Sequence, residues 1–337
     1  MRLIRPFLSA LASSTGRRST STFTTHTSFR ELVDQYDAFI LDQFGVMHNG
    51  FEALHGAVEC VEELHKAGKA LIILSNTSAP SHAALKKLPK FGFDPNHFVG
   101  AVTSGEEASK YVRETFGSDV TRPSKALFIT WDTSDPDNPR LTALPEQFLA
   151  QCGNVLIAAS VEEADFLLLH GSEVWLQSPK NQVTSLGSFI DTGNFDQVID
   201  PLLSMCVQRG LPAVCANPDF VVQTPSGGTA FMPGRIAQRY QEMGGHCTIF
   251  GKPHSEHFVA CLKQLGLERV AHVGDSLHHD IAGASRAGVS SVFVSSGIHF
   301  QDFEVETWGE LPQRHELERV FDEAATTPTH VVGAFRL

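Results

Sequence analysis

From Ala38 onward the chain alternates short apolar runs with amphipathic stretches that stop at glycine, and few folds are compatible with this. The runs Ala38–Leu41, Ala70–Leu74, Ala213–Cys215, Ala271–Val273 and Ser291–Val294 lack the polar alternation of a half-solvated strand. They read as strands buried on both faces of a parallel sheet. Between them, Ala57–Ala67, Ser81–Leu88, Gly234–Met243, Glu256–Leu265 and Asp280–Ala287 have helical spacing. Gly68, Gly244, Gly266 and Gly288 stand where such helices would end. The alternation predicts an α/β fold, a doubly wound Rossmann-like parallel sheet with its chemistry at the carboxyl ends of the strands.

Residues 120–210 break the rhythm. Thr133–Arg140 is loop material, Leu127–Ile129, Val155–Ala158 and Phe166–Leu169 form a second set of short strands, and a helical pattern runs through Asp196–Gln208. The segment predicts a smaller α/β domain inserted into a core made of residues 30–119 and 211–337. Ser104 with Glu107 has the spacing of a capping box for a helix reaching Phe116. The C-terminal part predicts a helix at His315–Ala325 and an edge strand at His330–Phe335.

Residues 1–29 are a different material. Through residue 30 there are five arginines (2, 5, 17, 18 and 30) and twelve serines and threonines, and the first acid is Glu31. Acid-free, arginine-rich and hydroxyl-rich segments are typical of organelle transit peptides, which predicts a mitochondrial destination, with the plastid second. A formal net charge of -12 argues against a general grip on nucleic acid. No apolar run reaches the roughly 18 residues of a membrane span, so no membrane partner is expected. The six cysteines are scattered without a C-x-x-C pair and read as free thiols.

Four segment ends carry reactive side chains. Asp42 closes the first apolar run, with Gly45 behind it for a sharp turn. Ser75, Asn76 and Thr77 close the second. Lys252 stands in FGKPH, and Asp275 with Asp280 stands in HVGDSLHHD. Each alone has an ordinary explanation as a helix cap, a turn residue or a surface lysine. Together they supply a nucleophilic carboxylate, hydroxyl and amide groups, one ammonium and a second carboxylate, the parts required for Mg²⁺-assisted phosphoryl transfer.

The order D-x-x-G-V, strand-terminal Ser-Asn, G-K-P and G-D-S-x-x-x-D resembles the haloacid dehalogenase superfamily. The inserted domain, and the Asn217-Pro218-Asp219 that leads out of it, resemble subfamily IIA, which includes nitrophenylphosphatase, phosphoglycolate phosphatase and nucleotide phosphatase types. The resemblance implies a hydrolase of small phosphorylated metabolites. Asp42 would be nucleophile and Mg²⁺ ligand, with the Phe44 carbonyl and Asp275 as further ligands. Ser75, Asn76, Thr77 and Lys252 would hold the phosphoryl group, and Asp280, Asn217 and Asp219 would support them from behind. The insertion would be a cap over the site. Enzymes of this kind often dimerise through the cap, but nothing in these residues specifies a homodimer.

One position departs from the pattern. Phosphatases of this type carry a second aspartate two residues past the nucleophile, as general acid; here it is Phe44, which has no proton to give. The expected consequence is slow turnover unless the leaving group is good. Dehalogenases carry an aromatic residue at that position, so a dehalogenase-type hydrolase is one alternative. A catalytically weak binding or assembly protein is another. A P-loop reading of Gly245–Lys252 fails on spacing and on Pro253, and His254, His257, His278 and His279 lack the pattern of a zinc site. His170 and Trp175 of the inserted domain are candidates for substrate contact, with core packing the preferred reading.

Overall fold

The computed structural model describes residues 22–133, 144–178, 182–195, 198–223 and 228–337. Its first sheet is wholly parallel, in the spatial order Thr24–His26, His330–Val332, Ser290–Val294, Val270–Gly274, Ala38–Leu41, Ala70–Ser75 and Gly100–Thr103. The central strands are buried on both faces because helices cover them. Phe39, Leu41, Leu71, Ile73, Ala271 and Val273 pack to one side with helix Ala57–Lys66. Ile40, Ile72, Leu74 and Val270 pack to the other, with Phe258 and Cys261 of helix Ser255–Leu265. The expected α/β architecture is therefore present, and the neighbouring strand ends Leu41, Gly274 and Ser75 open on one crevice.

A second sheet holds Cys247–Ile249, Ala213–Cys215, Phe166–Leu169, Ser124–Thr130, Val174–Gln177 and Gln182–Ser185 in that order, with Val155–Ile157 also paired to Ser124–Thr130. Its last two strands are antiparallel. The expected domain boundaries need correction here. Ala213–Cys215 belongs to this second sheet, and helix Pro233–Glu242 seals it through Ile236, Ala237 and Tyr240, so the chain does not return to the first sheet at 211. Helix Ser104–Thr115 likewise buries Ala108 and Val112 against Ala126 and Phe128 of the second sheet. The second layer thus runs from about residue 104 to 250. A short apolar run does not announce which sheet it will join; the faces of the flanking helices decide that. The helix cap is also one residue earlier than expected, with the Thr103 hydroxyl accepting from the Glu106 amide at 3.2 Å.

Two expectations at the termini change. His330–Val332 is an interior strand, because Thr24–His26 pairs with its outer side. Residues 22–29 are therefore packed into the domain, although the expected leader extended through them. Phe23 meets Phe321 edge-on at 5.1 Å, and Phe29 is fully buried between Phe39 and Phe335. The remainder of the expected leader, residues 1–21, lies outside the described residues, as do most of the loop at 133–140 and the start of the helix expected at Asp196. A chain starting at residue 22 should keep the melting temperature of the full protein. A chain starting at residue 30 loses two buried phenylalanines, each worth about 3–5 kcal/mol, a sum comparable to a whole domain's stability. It should fail to show a cooperative thermal transition by circular dichroism. All six cysteines are free and buried, and among the described residues no helix is long and apolar enough to cross a membrane.

Candidate active site

The crevice at the strand ends is a cavity of about 1040 Å³. Asp42 and Asp275 follow adjacent strands, so their carboxylates meet on its floor. Gly45 permits this closeness: at φ +82° it takes the left-handed turn, and a Cβ there would collide with the Asp275 carboxylate. The Asp275 side chain is held from the other side by the Ile298 amide, which donates to Oδ2 at 2.7 Å.

Lys252 comes from a different direction than its sequence neighbours suggest. It lies on the segment leaving the second sheet after Ile249, not at an end of the first sheet, and is only 2% exposed. Its ammonium reaches Asp42 Oδ1 at 2.6 Å and Asp280 Oδ1 at 2.7 Å. Burial alone would favour the neutral amine; the charges of Asp280 and Asp42 outweigh it and hold the group above its ordinary value. Asp280 is the anchor. It sits in a π-helical turn at Leu277–Ile281, takes the Ser276 amide at 3.0 Å and contacts His272 Nε2 at 2.7 Å. Despite burial, Lys252 and His272 hold its carboxyl well below the usual range.

The Asn76 side chain is tied to the lysine segment: Oδ1 accepts from the Lys252 amide at 2.7 Å, while Nδ2 donates to Asp219 Oδ1 at 2.7 Å and to the Lys252 carbonyl at 3.3 Å. It fixes the lysine's backbone. Asn217 in turn fixes Asp219, its Oδ1 accepting from the Asp219 amide at 3.0 Å. Ser75 and Thr77 line the cavity, as do Asn217 and Asp219. Phe44, two residues past Asp42, lines it too, at 39% exposure.

His272 was not legible as a site residue, although a histidine inside the apolar run AHV was its signal. His257 is buried and accepts from the Gly251 amide at 2.7 Å, while His278 and His279 line the cavity. His170 is fully buried against Phe128 and Phe148, and Trp175 packs on the core of the second sheet.

The donor set suits a hard divalent cation. Asp42, Asp275 and Asp280 each place a carboxylate oxygen within 4.8 Å of the others. Asp280 is already committed to Lys252 and His272, which leaves Asp42 and Asp275 as the pair a cation would bridge, and one or two carboxylates is what Mg²⁺ usually takes. The electrostatics agree. Burial pushes the Asp42 carboxyl up to about 6 in spite of Lys252. Burial and the carboxylates of Asp42 and Asp280 push Asp275 well above its ordinary value. Negative charge here exceeds what one ammonium can offset.

Comparison with known proteins agrees with this geometry. A family profile described as haloacid dehalogenase-like hydrolase matches residues 39–132, a second of the same description matches residues 208–288, and a HAD-hydrolase-like profile matches 249–332. A glycerol-3-phosphate phosphatase from Homo sapiens is 26% identical over 79% of this chain and 81% of its own length. A 4-nitrophenylphosphatase from Schizosaccharomyces pombe is 24% identical over 80% of this chain and 87% of its own. The fold matches a haloacid dehalogenase-like hydrolase from Brucella suis at a TM-score of 0.66 and 21% identity, covering 92% of this chain and 99% of that one. With matching profiles on both sides of the second sheet and the reactive groups assembled at the strand ends, this chain belongs to the haloacid dehalogenase-like hydrolases.

Proposed function

We propose that the protein is a Mg²⁺-dependent hydrolase of small phosphorylated metabolites that works through an aspartyl-phosphate on Asp42 and favours good leaving groups. The observation that carries this reading is the Asp42 carboxylate held 2.6 Å from a buried lysine, beside Asp275, on the floor of a cavity wide enough for a metabolite. The names of the two relatives, both phosphatases, support phosphate esters as the substrate class.

Ionised Asp42 attacks phosphorus, and the ester oxygen leaves with its electron pair. Lys252 keeps Asp42 ionised and oriented, and its charge faces the incoming phosphoryl oxygens. Asp280, tied to His272 and Ser276, fixes Lys252 from one side and Asn76 fixes its backbone from the other. The Ser75 and Thr77 hydroxyls stand at the strand end where those oxygens arrive. Asp42 and Asp275 would hold a divalent cation, which when bound would supply the remaining charge neutralisation. The second-sheet domain covers the cavity and would select the substrate. The composition of residues 1–21 supports mitochondrial delivery, which a fluorescent fusion of residues 1–30 would test.

The decisive experiment is phosphate release from acetyl phosphate, 4-nitrophenyl phosphate and an alkyl phosphate, each with Mg²⁺ and with EDTA. Turnover of the first two only with Mg²⁺, and far slower turnover of the third, is expected. No turnover of any of them, while Mg²⁺ still raises the melting temperature, overturns the reading.

A thermal-shift series tests the metal site. In the metal-free protein, Asp42 and Asp275 have raised folded-state values, so the folded state binds more protons than the unfolded one. The Asp42 contribution is present below about pH 4 and is lost as pH rises through about 6, and that of Asp275 is likewise lost as pH rises through its raised value. Asp280, with its lowered value, acts only at more acid pH. Saturating Mg²⁺ competes with those protons. Its stabilisation, about 2.7 kcal/mol at 100 times Kd, should appear at pH 7.5 and largely vanish at pH 5. Equal shifts at both pH values would place the ion elsewhere.

A further inference from the structure

Phe44 is more than a missing acid. Its ring meets the His48 ring edge-on, with centroids 6.3 Å apart and planes at 89°, and His48 stacks on Phe91 at 4.1 Å and 20°. All three line the cavity that holds Asp42. They form one aromatic wall that starts two residues from the nucleophile and runs outward. His48 belongs to it as a neutral ring: burial pushes its value down to about 4, and its Nδ1 accepts from the Gly50 amide at 3.1 Å. The three rings therefore offer faces and edges for stacking, with the Lys90 ammonium over the Phe91 ring at 5.9 Å as a charge beside them. Trp131 and Phe220 from the second-sheet domain and Trp308 from the core line the same cavity.

A polar or aliphatic leaving group gains little from such surroundings. A planar ring gains about 0.5–1.5 kcal/mol per aromatic contact beyond its burial. A phenolic oxygen also leaves as a stable anion, so it does not need the proton that Phe44 cannot supply.

We infer that Phe44, His48 and Phe91 form a leaving-group subsite for aryl phosphates, the phosphate esters of planar aromatic or heteroaromatic hydroxyl compounds. The inference rests on the phosphohydrolase reading and names its substrate class. In the first step the Asp42 oxygen–phosphorus bond forms, the phosphorus–aryl oxygen bond breaks, and the pair departs on the aryloxide, which takes its proton from water. In the second, water attacks phosphorus, Asp42 leaves as carboxylate, and inorganic phosphate is released with the remaining proton. The sum is aryl phosphate plus water giving hydroxyarene plus phosphate.

The test separates binding from turnover. Calorimetric titration of the Mg²⁺-loaded protein with phenylphosphonate and with methylphosphonate reads the subsite without chemistry. Phenylphosphonate should bind more tightly, and Phe91→Leu should narrow the gap about three- to tenfold, because it removes the stacked ring and keeps the volume apolar. In parallel, Phe91→Leu should lower kcat/KM for phenyl phosphate relative to acetyl phosphate by the same factor; the ratio within one variant cancels any loss of folded protein. No gap between the phosphonates, or a gap that Phe91→Leu leaves intact, overturns the aromatic subsite even if acetyl phosphate is hydrolysed. A gap that narrows as expected, in a protein that hydrolyses neither phosphate, supports the subsite and removes the phosphohydrolase reading instead.

Discussion

Asp42→Asn should lower kcat on activated phosphates by at least about 10³-fold while leaving the fold intact. The substitution keeps shape and keeps an oxygen that can accept from Lys252, now at 2.6 Å from Asp42 Oδ1. It removes the anionic carboxylate that, on the proposed mechanism, attacks phosphorus. Lys252 stays paired with Asp280 at 2.7 Å, so no unpaired buried ammonium results. Stability should hold or rise in the metal-free protein, because the lost charge is one that burial disfavours, as the upward shift of Asp42 to about 6 indicates. Activity and stability thus move in opposite directions, as they do where a site is held against its own repulsion. A steady-state assay with a melting curve on the same sample reads both. Turnover that persists in the variant would remove Asp42 as nucleophile. Loss of turnover with a collapsed melting temperature would show Asp42 to be structural.

Much of this site was legible because a parallel sheet places strand ends side by side. Asp42, Ser75 and Asp275 each follow an apolar run, and the sheet registers Ala38–Leu41 against Ala70–Ile73 and Val270–Val273. Adjacency needed no further information than that these were neighbouring strands. What stayed hidden depends on contacts between distant segments. Ala213–Cys215 has the composition of a strand in either sheet, and its placement is set by the faces of helices Ser104–Thr115 and Pro233–Glu242. The tie from Asn76 to Lys252 is hidden for the same reason: nothing in a strand-end amide announces a partner 176 residues away. Thr24–His26 was taken for leader material because serine, threonine and arginine surround it, although Phe23 and Phe29 carried the signal of a packed edge.

Phe44→Asp should raise kcat on an alkyl phosphate by about 10²–10⁴-fold, the usual worth of general acid catalysis. An alkoxide is a poor leaving group and needs a proton as the phosphorus–oxygen bond breaks; the wild-type side chain at this position, exposed to the cavity, has none. An aspartate there would join a floor already crowded with the carboxylates of Asp42 and Asp275. Like charges raise its value, so a larger share would be protonated near neutral pH, the form in which it must act. The gain should depend on the substrate. A plot of log kcat/KM against leaving-group pKa should fall steeply for the wild type and be much flatter for the variant, with the lines meeting at the best leaving groups. Phenyl phosphate should bind less well to the variant, since the wall next to His48 loses a ring. If the alkyl rate and the slope are both unchanged, proton supply is not what limits this enzyme, and Phe44 serves the leaving group only as a surface to pack against.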